Sequence, residues 1–109
     1  MPTHIAQTRA SAQTLYDEGV AFHEQGKWDE ALVAFRAAVE EDPELSNAWK
    51  GIMNAEREKN GGKTCEAMHE PLMRILELEP DNAIAHCNLG HVLHVVHKKY
   101  PGAEKQYRK

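Results

Sequence analysis

No stretch of this 109-residue chain comes near the run of about 18 apolar residues that a membrane-spanning helix needs, so a transmembrane span is excluded. Met1 to Ala10 lacks the apolar core of a secretory leader, and no export signal is expected. Cysteine is scarce. Cys65 and Cys87 stand alone, without a CxxC, and read as reduced thiols of a cytosol-like compartment, so a cytoplasmic location is expected. The 13 basic residues are outnumbered by 17 acidic ones, and only 6% of the chain is aromatic. With no aromatic platform and no reading motif, nucleic acid is not an expected partner. Catalytic signatures are missing as well. Gly62-Lys63-Thr64 has the tail of a phosphate-binding loop. Arg57 stands where that motif needs its first glycine, and the segment follows a helical pattern rather than a strand. There is no nucleophile elbow, and the carboxylates fall on predicted solvent faces. The chain reads as no enzyme and calls for no cofactor.

What is present is near-repetition. Leu15, Gly19, Phe22, Gly26, Trp28, Ala31, Phe35, Ala38 and Pro43 set a pattern. Trp49 and Met53 take the places of Leu15 and Gly19, and Met68, Leu72, Ile75 and Pro80 those of Ala31, Phe35, Ala38 and Pro43. A third pass gives His86, Leu89, Gly90, Leu93, Tyr100, Ala103 and Tyr107. A period of about 34 residues predicts stacked helix–turn–helix units, whose apolar faces are buried only against neighbours. The 41% hydrophobic and 28% charged content suits one small helical domain.

The first unit reads most closely. Ala12 to Gln25 places Ala12, Leu15, Gly19 and Phe22 on one helical face. Gly19 is costly inside a helix and makes sense where a neighbour approaches closely. Gly26 is a left-handed C-cap candidate. The return helix begins at Trp28, carries Asp29 and Glu30 where the helix dipole favours negative charge, and buries Ala31, Leu32, Phe35, Ala38 and Val39. Pro43 stops it just after Asp42.

The segment GVAFHEQGKWDEALVAFRAAVEEDP, Gly19 to Pro43, resembles the tetratricopeptide repeat family, and the resemblance extends over residues 12–109. It implies an all-α fold, a right-handed superhelix of antiparallel helix pairs. It also implies a mostly non-enzymatic scaffold that binds extended peptides or partner helices on its concave side. The expected organisation is a leader at 1–11, a first repeat at 12–45, a second at 46–82 and a third at 83–109.

The second unit departs from the pattern. Pro43 to Pro80 spans 37 residues, and the surplus falls around Asn60, Gly61, Gly62 and Lys63, predicting an enlarged inter-helix turn. Met53 and Met68 replace small residues and predict wider packing. Pro71 lies inside the expected helix Thr64–Leu78, where it predicts a kink or a restart. The third unit starts with Ala83 to Leu93, and its second helix is expected from Tyr100–Pro101. The sequence stops at Lys109 before that helix is complete, so an excerpt of a longer repeat protein is expected, or else an end completed by self-association. The chain would then be five full helices and a short sixth.

Charge is graded along the chain. Residues 12–45 carry nine acidic and two basic side chains, 46–82 seven and five, and 83–109 one and five. Of seven histidines, four (His86, His91, His94, His97) fall in one helix. Cys87, His91 and His94 stand at i, i+4 and i+7 and share a face, a spacing that can bind zinc. No fourth ligand is evident, so no metal site is expected. A metal- or pH-responsive module using these three residues is the alternative, since histidines there would tune binding near neutral pH.

The resemblance also names groove-facing positions: Gln13, Tyr16, Asp17, Val20 and His23 in the first unit, Asn47, Lys50, Asn54 and Arg57 in the second, and Ile84, Cys87, Asn88, His91 and His94 in the third. Members that hold the carboxy-terminal peptide of chaperones use a two-carboxylate clamp. Tyr16, Val20, Gly51, Ile84 and Asn88 occupy those positions here, so that clamp is absent. Lys50 and Arg57 are left as groove cations. The reading is a protein–protein interaction module for a peptide or helix of a partner, with an acidic segment suited to those cations; a targeting domain of a larger enzyme is a further alternative.

Overall fold

The computed structural model describes the backbone of residues 4–99 and the side chains of residues 11–98. Among the described residues five α-helices follow one another: α1 (His4–Glu24), α2 (Trp28–Glu41), α3 (Ser46–Lys59), α4 (His69–Leu78) and α5 (Ala83–Lys99). A 3-10 turn, Glu66–Met68, precedes α4. No strand occurs among the described residues. Each helix packs on the next, and α1 also touches α3. The fold is therefore a stack of antiparallel helical pairs. Residues 100–109 lie outside the described residues, and with them the expected sixth helix from Tyr100–Pro101.

The ends of the helices follow from local chemistry. At the end of α1, Gly26 adopts φ +74°, its N–H donates to His23 O at 3.0 Å, and the Lys27 N–H donates to Phe22 O at 2.9 Å. This is a Schellman cap, which needs the left-handed conformation that glycine alone takes freely. The inserted glycines after α3 repeat it. Gly61 has φ +72°, its N–H donates to Glu58 O at 3.1 Å, and the Gly62 N–H donates to Arg57 O at 2.9 Å. The enlarged turn is thus a capped exit from α3. Before Pro43, Asp42 is extended, and its carboxylate accepts the Glu44 N–H at 3.1 Å, turning the chain into α3. Asn82 caps α5 by accepting the Ala85 N–H at 2.9 Å.

Two helix starts differ from the expected bounds. α1 begins at His4, well ahead of Ala12, so the helix runs back into the segment assigned as a leader. The helix expected over Thr64–Leu78 starts only at His69. Pro71 falls in the first turn of α4, where its missing N–H would have had no intrahelical partner, so the restart is a helix start and no kink arises.

One contiguous core runs through the stack: Ala31, Leu32, Phe35, Ala38 and Val39 of α2, Ala48, Trp49, Ile52, Met53 and Ala55 of α3, Met68, Leu72 and Ile75, then Ala85, Val92 and Val96 of α5. Ala31 and Ala38 are fully buried, as small residues are where helices meet, and Phe35 is 2% exposed. α1 lies close to α3, whereas α3 and α5 diverge and the 3-10 turn sits against both. Met68, the buried side chain of that turn, fills the wedge.

Candidate functional site

Two pockets open side by side along the face made by α1, α3 and α5. The first, about 210 Å³, lies between α1 and α3 and is lined by Tyr16, Val20, His23, Phe35, Asn47, Lys50, Gly51 and Asn54. The second, about 390 Å³, lies between α3 and α5 and is lined by Lys50, Met53, Asn54, Arg57, Ile75, Asn82, Ile84, Ala85 and Asn88. Lys50 and Asn54 belong to both and join them into one groove.

Nine of the sequence-predicted groove positions meet here: Tyr16, Val20, His23, Asn47, Lys50, Asn54, Arg57, Ile84 and Asn88. The reason is the helical period. Positions three and four apart on α1, α3 and α5 fall on one face of each helix, and the three faces border the two pockets. Gln13 and Asp17 do not line either pocket. They bond to each other at 3.1 Å on the exposed side of α1. Cys87, His91 and His94 lie on the exposed face of α5 and also line neither pocket. Among the described residues, no three His, Cys, Asp or Glu side chains stand close enough to hold a metal ion.

The two cations of the groove have different surroundings. Lys50 Nζ is 3.1 Å from Glu79 Oε1 and donates to Oε2 at 3.2 Å. Glu79 also accepts from Ser46 Oγ at 2.7 Å and Asn82 Nδ2 at 2.9 Å. Those hydrogen bonds, with Lys50 beside them, pull its carboxyl down to about 2. Lys50, expected as a groove cation, is compensated by this carboxylate. Glu79 lies 29 residues away on the α4–α5 connection, so no sequence pattern linked the two. Arg57 donates to Asn54 Oδ1 at 3.3 Å, and no carboxylate pairs with it among the described residues.

The apolar floor of the first pocket was only partly foreseen. Tyr16 packs on Phe35 with ring centroids 5.7 Å apart. His23 lines its edge with the ring 4.9 Å from Trp28, and its Nε2 is buried without a hydrogen-bond partner among the described residues. Gly51 opens the floor, because a Cβ there would meet Phe35 Cζ at 2.7 Å. The reasoning applied to Gly19, a glycine inside a helix where a neighbour comes close, would have found Gly51 too. Ile84, 73% exposed, presents the largest solvent-facing apolar surface of the second pocket.

A groove lined by the first helices of successive helical pairs is the architecture of a helical-repeat protein. The family model described as Tetratricopeptide repeat matches residues 12–45, and this match supports reading that segment as a tetratricopeptide repeat. The match ends at Leu45, where the unit with Met53, Met68 and the enlarged turn begins. No curated protein matches the chain. No described helix is long and apolar enough to cross a membrane.

Proposed function

We propose that the chain is a non-catalytic protein-interaction module whose groove holds a segment of a partner protein. The observation that carries this reading is the continuity of the two pockets. Residues from three helices, distant in sequence, converge on one concave strip that is apolar at Tyr16, Val20 and Ile84 and amide-rich at Asn47, Asn54 and Asn88. Apolar anchors supply most of the binding energy in such interfaces, and asparagine side chains can both donate to and accept from a bound backbone. The repeat at residues 12–45 belongs to a family of protein-binding modules, which supports the same reading.

Site-specific photo-crosslinking tests it. A photoreactive side chain at Asn54, in the groove, is compared with one at Val33, which is 71% exposed on α2. The expected outcome is one defined adduct from position 54, competed away by unmodified protein, and none from position 33. Adducts from position 33 alone would refute groove binding. With the captured segment in hand, Tyr16→Ala is expected to speed dissociation, because apolar anchors govern the off-rate.

A further inference from the structure

The two groove cations are not equivalent, and the difference specifies what the groove can read. Lys50 already faces Glu79, and that carboxylate is fixed by Ser46 and Asn82 as well. An incoming acidic group would have to compete with an internal one held by three hydrogen bonds. Arg57 has no such rival among the described residues. Its guanidinium is turned by Asn54 at 3.3 Å, lines the α3–α5 pocket, and forms no ion pair among the described residues. A guanidinium carries five N–H donors in a planar fork that matches a carboxylate, and Asn54 uses only one of them. The neighbouring α1–α3 pocket, of about 210 Å³, has Tyr16, Val20 and Phe35 as apolar walls and is of a size for one side chain. Asn54 lines both pockets, so the apolar notch and the free guanidinium are adjacent along one path.

We propose that the groove recognises a partner segment bearing an apolar side chain for the α1–α3 pocket and, next along the groove, an aspartate or glutamate for Arg57. This rests on the groove being the binding face and adds the chemistry of its partner. Arg57 reads the acidic side chain, while Lys50 stays paired with Glu79.

A random-peptide phage library panned on immobilised protein tests the proposal. Five baits are used: the wild type, Arg57→Glu, Arg57→Gln, Tyr16→Ala, and Lys63→Glu as a charge-matched change on the inter-helix turn. Arg57→Gln serves as a milder variant, and circular dichroism checks that each is folded. The wild-type and Lys63→Glu pools are expected to share a Leu, Ile, Val, Met or Phe at a fixed offset from an Asp or Glu. The Arg57→Glu pool is expected to carry Lys or Arg at the acidic position, and Arg57→Gln to lose the preference. A wild-type peptide should bind Arg57→Glu about tenfold more weakly, and exchanging its acidic residue for the amide should remove most of that difference. An enriched wild-type pool without the acidic residue, lost on Tyr16→Ala, would overturn this inference and leave groove binding standing. Enrichment unchanged by both Tyr16→Ala and Arg57→Glu would overturn both. A library that yields no enriched sequence on the wild type would also overturn the inference.

Discussion

Phe35 of α2 lies so close to Gly19 of α1 that a Cβ on Gly19 would stand 2.5 Å from the Cδ1 and Cε1 atoms of the ring. On the other side, a Cβ on Gly51 of α3 would stand 2.7 Å from Cζ. One ring thus keys three helices together. Its fit depends on two positions without side chains, and the same ring floors the α1–α3 pocket.

Gly19→Ala should therefore destabilise the protein. Alanine improves helix propensity by about 1 kcal/mol, but overpacking of a core ring costs about 1–3 kcal/mol. Urea denaturation is expected to show a net loss for Gly19→Ala, partly recovered when Phe35 is shortened to Leu in the same chain. At Gly90 a Cβ would meet no atom within 4 Å among the described residues, so Gly90→Ala is expected to gain up to about 1 kcal/mol. A neutral or stabilising Gly19→Ala would refute the close approach.

Phe35→Ala should cost about 3–5 kcal/mol, since the side chain is nearly fully buried between helices that cannot collapse far into the space. Denaturant midpoints measure this directly. A loss under about 1 kcal/mol would show that the ring is not wedged as described.

Acid should weaken the fold partly through Glu79. Its carboxyl is held at about 2 by Ser46, Asn82 and Lys50, against an ordinary value of 4.5. A carboxyl lowered by folding contributes stability above its ordinary value and loses that contribution as pH falls toward the folded value. Thermal midpoints should fall between about pH 5 and about pH 2, and Glu79→Gln should fall less steeply over that window. Parallel curves for the two proteins would show that Glu79 is not held in this way.

The two thiols should differ in reactivity. Cys87 is exposed, whereas Cys65 is half-buried, with its Sγ 3.7 Å from the Glu56 carbonyl, and burial pushes its thiol up. Thiolate is the reactive species. Iodoacetamide should label Cys87 first by peptide mapping, and the difference should vanish in denaturant. Equal rates in the folded protein would contradict the burial of Cys65.

Much of the helical plan was legible because it rests on local rules. Gly26 marks a left-handed cap, Pro43 follows an extended Asp42, and Ala31, Phe35 and Ala38 recur on one face at helical spacing. The family resemblance named Tyr16, Val20, Asn54 and Arg57 as groove positions, and all four line the two pockets. It could not reveal that Gln13 and Asp17 satisfy each other beside the groove, since bonding partners on a surface depend on side-chain conformation. Pro71 was located correctly in a helical segment, but whether it kinks a helix or begins one depended on where the 3-10 turn let α4 start.

By itself the sequence determined the succession of helices, their caps and the buried stripe of each, because these follow from backbone stereochemistry and from the 3.6-residue period of apolar side chains. Only the tertiary structure decided that Phe35 fills the space above both Gly19 and Gly51, that Met68 wedges α3 from α5, and that Glu79 reaches back to occupy Lys50 and leaves Arg57 as the groove cation without a carboxylate partner among the described residues. Those relationships join residues far apart in the chain. Their distances are set by how whole helices pack, which no local rule along the sequence specifies.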